Sequence, residues 1–177
     1  MKSSALFLGL SLAFFASPAA GVAGSWTLFM ETNSITDLAA DGSFLWCATN
    51  GGLVRWDTRN MSHTLFTVED GLQDQALTAV GVGPNGSVWV GSEECSEWGG
   101  NLSVSQDVHW TVFQDENGPG KCISTIAFAP DGSVWVGANN TVYMCGEPRA
   151  VHRYDGKSWS RYDPNNSLFF TVSEIAA

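Results

Sequence analysis

The sequence is poor in basic residues. It contains 8 Lys and Arg against 18 Asp and Glu, and its formal net charge is −10. Nucleic acids and anionic membrane surfaces bind clusters of Lys and Arg, so this composition argues against both as partners. Charged residues make up only 15% of the chain and hydrophobic residues 44%, which is typical of a globular protein with a core.

Catalytic and metal-binding motifs are also lacking. The sequence has no Gly-x-Ser-x-Gly elbow, no phosphate-binding loop and no Cys-x-x-Cys pair. We expect His63, His109 and His152 to lie on outer strands or away from the cysteines, which disfavours a zinc site. The sequence therefore predicts a protein that is not an enzyme and that holds no metal and no cofactor.

Only one long apolar run is present, at the N-terminus. A lysine precedes twelve apolar residues from Ala5 to Ala16, and small residues follow them. This pattern predicts a secretory signal peptide at residues 1–23, because Pro18 falls where a membrane span would have to continue. We expect the mature chain to be exported to the periplasm, the cell surface or the medium, with no membrane span.

The sequence does contain an internal repeat. The segments Ile35–Trp46, Leu77–Trp89 and Ile123–Trp135 align, and their tryptophans are 43 and 46 residues apart. Each copy continues with a glycine turn and two further apolar segments. Short segments rich in Val, Trp, Phe and Thr, separated by Asp-Gly or Asn-Gly turns, predict β-strands, four to each repeat.

This period favours an all-β fold, a β-propeller of four-stranded antiparallel blades, over a β-sandwich. A sandwich does not repeat one four-strand order at a fixed interval, whereas a propeller does. The partial propeller is predicted at residues 24–177, with blades at about 35–66, 77–113 and 123–162. We expect the repeated tryptophans to pack between blades rather than to bind a ligand.

The last six residues match the start of the first repeat. Val172–Ala177 is similar to Ile35–Ala40 at every position, which predicts the innermost strand of a fourth blade. A blade with one strand leaves backbone groups unpaired. About three and a half blades are therefore expected, in a fragment of a longer protein whose missing blades, or a second chain, complete the ring.

The best-preserved copies, Asp131–Gly137 and Asn85–Gly91, together with Glu69–Leu72, resemble the two-component regulator propeller repeat. That repeat occurs in extracytoplasmic sensor domains of bacterial hybrid histidine kinases and in related secreted ligand-binding proteins. The resemblance covers nearly all of residues 26–177. It implies an exported, non-catalytic module for ligand binding or sensing.

An alternative remains open. Propellers of similar repeat size include lyases and hydrolases, so the chain could belong to a secreted enzyme whose site is completed by missing blades. The sequence departs from the repeat at Cys47–Thr49 and in the long insert before Val151. These departures weaken the inference that the chain binds the same ligand as the family.

One rim of the propeller carries the predicted binding residues. Connections between second and third strands should share this rim with those between blades, and loops on rigid scaffolds often hold binding sites. The candidates are Glu93, Glu94, Glu97, Trp98, Asp115, Lys121, Tyr143 and Arg149. A tryptophan among carboxylates suits a carbohydrate or a cationic small molecule, and the alternative is a solvated acidic loop pinned by a disulfide.

Three of the four cysteines fall on that same rim. Exported chains favour disulfides, and the candidates are Cys95, Cys122 and Cys145. We expect Cys122 to pair with one of the other two. Cys47 is expected to be a buried thiol or to pair with a missing blade.

Overall fold

The computed structural model describes residues 34–92, 102–106, 109–113, 118–119, 122–138 and 150–162. Within these residues the protein is all-β, with three four-stranded antiparallel sheets and a single 3₁₀ turn, Val68–Asp70. The prediction of four strands in each repeat is confirmed. No helix in this part of the chain is long and apolar enough to cross a membrane.

The strands of each sheet follow one another in chain order. The first sheet consists of β1 (Ile35–Asp41), β2 (Phe44–Thr49), β3 (Gly52–Asp57) and β4 (Ser62–Phe66). The second consists of β5 (Leu77–Val82), β6 (Val88–Ser92), β7 (Leu102–Gln106) and β8 (His109–Phe113). The third consists of β9 (Ile123–Phe128), β10 (Val134–Ala138), β11 (Ala150–Tyr154) and β12 (Trp159–Tyr162).

The three sheets stack in a row, and their first strands lie side by side. Strand β5 contacts both β1 and β9, and the second strands β2 and β6 each contact the first strand of the next sheet. Over the described residues the sheets do not close into a ring. The fourth strand of each sheet lies at the edge opposite to its first strand.

Side-chain hydroxyls connect the first strands of neighbouring sheets. The Thr36 hydroxyl lies 2.8 Å from the carbonyl oxygen of Leu77, and the Thr78 hydroxyl donates in the same way to the carbonyl oxygen of Ile123. The Asp37 carboxylate also accepts a hydrogen bond of 2.9 Å from the backbone N–H of Val80. These bonds satisfy backbone groups that would otherwise be unpaired at the inner edge of each sheet.

Two hydrophobic cores lie between the sheets. The core between the first and second sheets contains Trp46, which is 8% exposed, together with Leu77 and Val90. The core between the second and third sheets contains Trp89, which is 6% exposed, together with Ile123. Both tryptophans pack between sheets as predicted.

Tight turns join the first two strands of each sheet, as their Asp-Gly and Asn-Gly pairs predict. The glycines Gly42, Gly86 and Gly132 all have positive φ, between 56° and 83°. In the second and third sheets the residue before this glycine is Asn85 or Asp131. Its side chain accepts a hydrogen bond from the backbone N–H two residues further on. Such local bonds favour the turn over a continued strand.

Candidate functional site: an aromatic cleft between the second and third sheets

The predicted rim falls largely outside the described residues. This holds for all eight predicted ligand-binding residues, which are Glu93, Glu94, Glu97, Trp98, Asp115, Lys121, Tyr143 and Arg149. Their placement on a binding surface therefore stays a prediction. The predicted signal peptide at 1–23 and the predicted fourth blade at 172–177 also lie outside the described residues.

The described cysteines are in two different states. Cys47 on β2 is a free thiol and is only 2% exposed, and burial raises its pKa. Cys122 is equally buried and is disulfide-bonded. Cys95 and Cys145 lie outside the described residues, so the pairing of Cys122 with one of them stays a prediction.

A cleft of about 780 Å³ opens between the second and third sheets. It lies at the ends of the sheets that carry the hairpin turns around Asn85, Gly132 and Gly156. These turns join the first to the second strand and the third to the fourth strand, so the cleft is at the rim opposite to the predicted one. A volume of this size is typical of small-molecule sites.

Aromatic rings form the walls of the cleft. The rings of Trp89 and Phe113 are stacked, with centroids 5.5 Å apart and planes inclined by 14°. Tyr154 on the third sheet completes the cluster, with ring centroids 6.0 Å from Trp89 and 5.6 Å from Phe113. Phe128 approaches Trp89 edge-on at 6.4 Å. Trp89 is nearly fully buried, and the half-buried rings of Phe113, Phe128 and Tyr154 contribute apolar surface to the cleft.

Polar side chains lie around the mouth of the cleft. Asn85, Gln106, His109 and Thr111 line it, and all four are exposed. Among the described residues that line the cleft, none is Asp, Glu, Lys or Arg. The mouth thus offers hydrogen-bonding groups, while the lining itself carries no permanent charge.

The second sheet differs from its neighbours at one position that lines the cleft. In the first sheet Trp46 pairs across the strands with Arg55, and in the third sheet Trp135 pairs with Arg153. The equivalent partner of Trp89 in the second sheet is Val104. A long cationic side chain lies beside the tryptophan in the first and third sheets, and a short apolar one in the second.

The arginines cover the rings beside them. The Arg55 guanidinium carbon lies 5.6 Å from the ring centroid of Trp46 and 5.7 Å from that of Phe66, within the range of cation–π contacts. The Arg153 guanidinium carbon lies 5.8 Å from the Trp135 ring. In the second sheet the ring of Tyr154, from the third sheet, lies at similar distances from Trp89 and Phe113, and Trp89 is 6% exposed.

Two ionised carboxylates lie in turns at the cleft's mouth. Asp131 precedes the lining residue Gly132, and hydrogen bonds from the Ser133 hydroxyl and amide, with a smaller effect of Arg153, lower the pKa of Asp131 to about 2. Asp155 precedes the lining residue Gly156, and backbone N–H groups of its own turn lower the pKa of Asp155. Both carboxylates are therefore negatively charged at neutral pH.

A smaller cavity of about 200 Å³ lies on the first sheet and is lined by Cys47, Trp56 and His63, among others. Its thiol is buried and its pKa is raised, so the thiolate that would react or bind a metal is disfavoured. Over the described residues, no group of three His, Cys, Asp or Glu side chains could hold a metal ion.

The comparisons with solved structures identify the class of fold. The chain is similar to the extracellular domain of the hybrid two-component system BT3049 from B. thetaiotaomicron, with a TM-score of 0.58 and 21% identity over 76% of this chain. It is also similar to the extracellular domain of the hybrid two-component system BT4673 from the same organism, with a TM-score of 0.57 and 20% identity over 78% of this chain. The resemblance to two-component sensor domains is thus confirmed for the fold.

A third similar structure has a different context. It is PorZ, a bacterial surface component of the type-IX secretion system of Porphyromonas gingivalis, with a TM-score of 0.56 and 14% identity over 78% of this chain. The chain spans 17%, 19% and 21% of the lengths of these three structures, in the order given. No family model and no curated protein matches the sequence.

Trp89 is not among the predicted site residues, because the repeated tryptophans have an evident packing role. Trp89 has that role and also forms a wall of the cleft. A signal was present, since the second repeat has Val104 where the others have Arg55 and Arg153. The significance of the change becomes clear only when the strand register places these residues opposite the tryptophans.

Proposed function

We propose that this chain is part of an exported β-propeller that binds a small molecule, without catalysis, as a sensing module. The observation that carries the proposal is the cleft of about 780 Å³ lined by aromatic side chains. A binding module needs a concave apolar surface with a few orienting polar groups. The Trp89 cluster supplies the surface, and Gln106, His109 and Thr111 supply the polar groups.

The stacking of the sheets supports the propeller. Sheets in a propeller pack face to face around an axis, with their first strands innermost. The contacts of β5 with β1 and β9, and the hydroxyl bridges from Thr36 and Thr78, fit that arrangement. We propose that further blades of a longer protein, or of a second chain, complete the ring.

Sensing and export are proposed from the fold neighbours. Two of them are extracellular domains of two-component systems. A module of that kind would report ligand occupancy to a partner domain in the longer protein. The predicted rim residues, such as Trp98 and Arg149, are proposed as a second contact region, with a carbohydrate or a cationic small molecule as the ligand.

Binding at the cleft can be tested by thermal unfolding of the full chain against a panel of arabino-, cello-, chito- and malto-oligosaccharides together with agmatine and arginine amide. A ligand that binds only the folded state raises the melting temperature in a saturable way. We expect at least one compound to do so. A panel in which none binds contradicts the proposal.

The position of the site can be tested with a matched pair of variants. Thr111→Tyr places a bulky ring at the exposed edge of the cleft, and we expect it to abolish the response. Thr64 in the first sheet provides the control, since it is exposed and has the same place in its sheet as Thr111. Thr64 pairs with Arg55, and Thr111 pairs with Val104. Thr64→Tyr should leave binding unchanged, whereas equal binding by both variants contradicts a site in the cleft.

The absence of catalysis is tested on the same ligand. Mass spectrometry of the ligand after long incubation with the full chain should recover it unchanged. Release of shorter products, lost in Thr111→Tyr but not in Thr64→Tyr, would instead favour a propeller enzyme.

A further inference from the structure

We propose that the outward face of the first sheet, the face turned away from the second sheet, is a docking surface for another four-stranded sheet of the same repeat. The partner sheet has a small side chain on its third strand at the position of Arg55. Trp56 would cover the ring stack of that partner, as Tyr154 covers the stack of Trp89 and Phe113. This inference rests on the proposed propeller and adds which kind of neighbour the first sheet accepts.

The outward face is apolar and partly open. The second sheet packs on the face of the first sheet that carries Trp46. Side chains alternate between the two faces of a strand, so the outward face carries Leu38, Cys47, Val54, Trp56, His63 and Leu65. Leu38 is 52% exposed, and the other five line the cavity of about 200 Å³. The counterparts of Cys47 in the other sheets, Val90 and Val136, are buried against a neighbouring sheet.

The ring stacks of the first and second sheets are covered in two different ways. In the first sheet the Arg55 guanidinium carbon lies 5.6 Å from the Trp46 ring, so the cover comes from the same sheet. In the second sheet Val104 takes the place of the arginine, and the Tyr154 ring lies 6.0 Å from Trp89. The cover of this second stack therefore comes from the next sheet.

The positions that do not supply the cover hold small side chains. Ser105 has the position of Tyr154 and belongs to the contact at which Arg55 is the cover. Val104 has the position of Arg55 and belongs to the contact at which Tyr154 is the cover. A long arginine and a large ring are thus not combined at either described contact. Two covers would compete for the same volume between close-packed sheets.

The first sheet presents a cover of the second kind on its outward face. Trp56 has the position of Tyr154. The Trp56 ring lies 4.7 Å from His63, with planes inclined by 37°, and the Tyr154 ring lies 4.9 Å from Trp159, with planes inclined by 33°. Tyr154 and Trp159 both contact the ring of Phe113 in the second sheet. The first sheet therefore holds the same ring pair ready for a stack in a neighbouring sheet.

The rule of one cover for each stack selects the partner. The third sheet of a second copy would offer the stack of Trp135 and Tyr162, which the Arg153 guanidinium already covers at 5.8 Å from Trp135. Trp56 would meet that arginine, and two covers would fall on one stack. A sheet with a small apolar side chain opposite its tryptophan, as at Val104, fits instead.

Sedimentation equilibrium of the full chain tests this choice of partner, with a variant of the chain as the probe. Arg153→Val opens the stack of the third sheet, so we expect this variant to associate with the Trp56 face of a second copy roughly tenfold or more tightly than the wild type does. Lys157→Val removes a cation from an exposed turn of the same sheet and should behave as the wild type. Wild-type association as tight as that of Arg153→Val overturns the inference.

The dependence on Trp56 separates docking from general adhesion of an exposed stack. Trp56→Ser in the Arg153→Val chain removes the cover from the docking face, so we expect the double variant to associate no more tightly than the wild type. Association of the double variant as tight as that of Arg153→Val overturns the inference.

The rule of one cover can also be tested inside the chain, by a double-mutant cycle on the melting temperature. Tyr154→Ser should lower the melting temperature by roughly 3–10 °C, because it uncovers the stack of Trp89 and Phe113. In the Val104→Arg chain the same change should cost less than half as much, because the arginine then covers the stack as Arg55 does. Equal decreases in the two chains overturn the inference.

Failure of this inference and failure of the proposed function give different results. If a compound of the panel binds at the cleft while Arg153→Val associates no more tightly than the wild type, only the docking inference is wrong. If Arg153→Val associates through Trp56 while no compound of the panel binds, the docking surface is supported and the proposed ligand binding is wrong.

Discussion

Trp89 and Val104 lie directly opposite each other on β6 and β7, at the register where the two neighbouring sheets pair a tryptophan with an arginine. This relationship links the repeat to the proposed site. The tryptophan packs against the next sheet, and the ring of Tyr154 from that sheet lies against Trp89 and Phe113 where the first sheet has the Arg55 guanidinium. Val104 and Tyr154 both line the cleft.

Arg55 should stabilise the ring cluster of the first sheet. We expect Arg55→Val to lower the free energy of unfolding by about 1–2 kcal/mol, since it removes a guanidinium and an apolar stem from three rings. Acrylamide quenching should show a more accessible Trp46. Arg55→Met keeps most of the stem and should lose less stability than Arg55→Val. Equal losses in the two variants would contradict a contribution from the stem, and an Arg55→Met chain as stable as the wild type would contradict a role for the charge.

The hydroxyl of Thr78 should stabilise the contact between neighbouring sheets. It lies within hydrogen-bonding distance of carbonyl oxygens of Gly91 in its own sheet and Ile123 in the next. We expect Thr78→Val to lower the free energy of unfolding by about 1–2 kcal/mol, because a part-buried carbonyl loses its donor. Thr78→Ser keeps the donor, so its free energy of unfolding, measured by urea denaturation, should fall less than that of Thr78→Val. A larger loss for Thr78→Ser would contradict the stabilising role of this hydrogen bond.

Gly91 is required by the approach of the third sheet. A Cβ atom placed on Gly91 would lie 2.2 Å from Cγ2 of Ile123, so Gly91→Ala should destabilise the protein by about 1–3 kcal/mol. In the first pair of sheets the equivalent positions hold Ala48 and Leu77, which share one core. We expect Ile123→Leu to restore part of the stability of Gly91→Ala in thermal unfolding. No recovery in the double variant would contradict this packing.

His152 should make the protein sensitive to mild acid. Burial, with a smaller effect of Arg161, lowers its pKa from 6.5 to about 4. Between these two pH values the unfolded chain binds a proton at His152 that the folded chain does not. The free energy of unfolding should therefore fall as the pH drops from 6.5 to about 4. Below about pH 4 this group should cause no further change. The expected loss is about 3 kcal/mol.

Urea denaturation at pH 7.5, 5.5 and 4.5 measures this loss. His152→Gln has no titrating group at the position and should lose the pH dependence in this window. Asp57 and Asp131, whose pKa values are lowered to about 2, titrate outside it. If the free energy of unfolding of His152→Gln depends on pH as strongly as that of the wild type, another group is responsible.

The strands could be predicted from the sequence because they depend on local patterns. Alternating apolar residues and Asp-Gly or Asn-Gly turns recur in each repeat, and the glycines of those turns have the positive φ that the pattern requires. The packing of Trp46 and Trp89 could also be predicted from the sequence, since a large apolar residue at one position of every repeat favours contact between repeats.

The cleft could not be predicted in the same way. It depends on which residue of β7 lies opposite Trp89, and a shift of one residue in that register would replace Val104 with Ser103 or Ser105. Its far wall is formed by Tyr154, more than sixty positions along the chain from Trp89. The predicted binding residues lie in loops rich in charge, whereas no described residue that lines the cleft is Asp, Glu, Lys or Arg.

The central claim, that a ligand binds in the aromatic cleft, is tested most directly by the indole ¹H–¹⁵N resonances of the full chain, assigned by single Trp→Phe variants, during titration with the compound that raises the melting temperature most. We expect the Trp89 indole to shift most, since its N–H donates to Ser87 in the lining of the cleft, and the indoles of Trp46 and Trp135 to remain in place. A titration that shifts Trp98 on the predicted rim and leaves Trp89 unchanged would contradict the account.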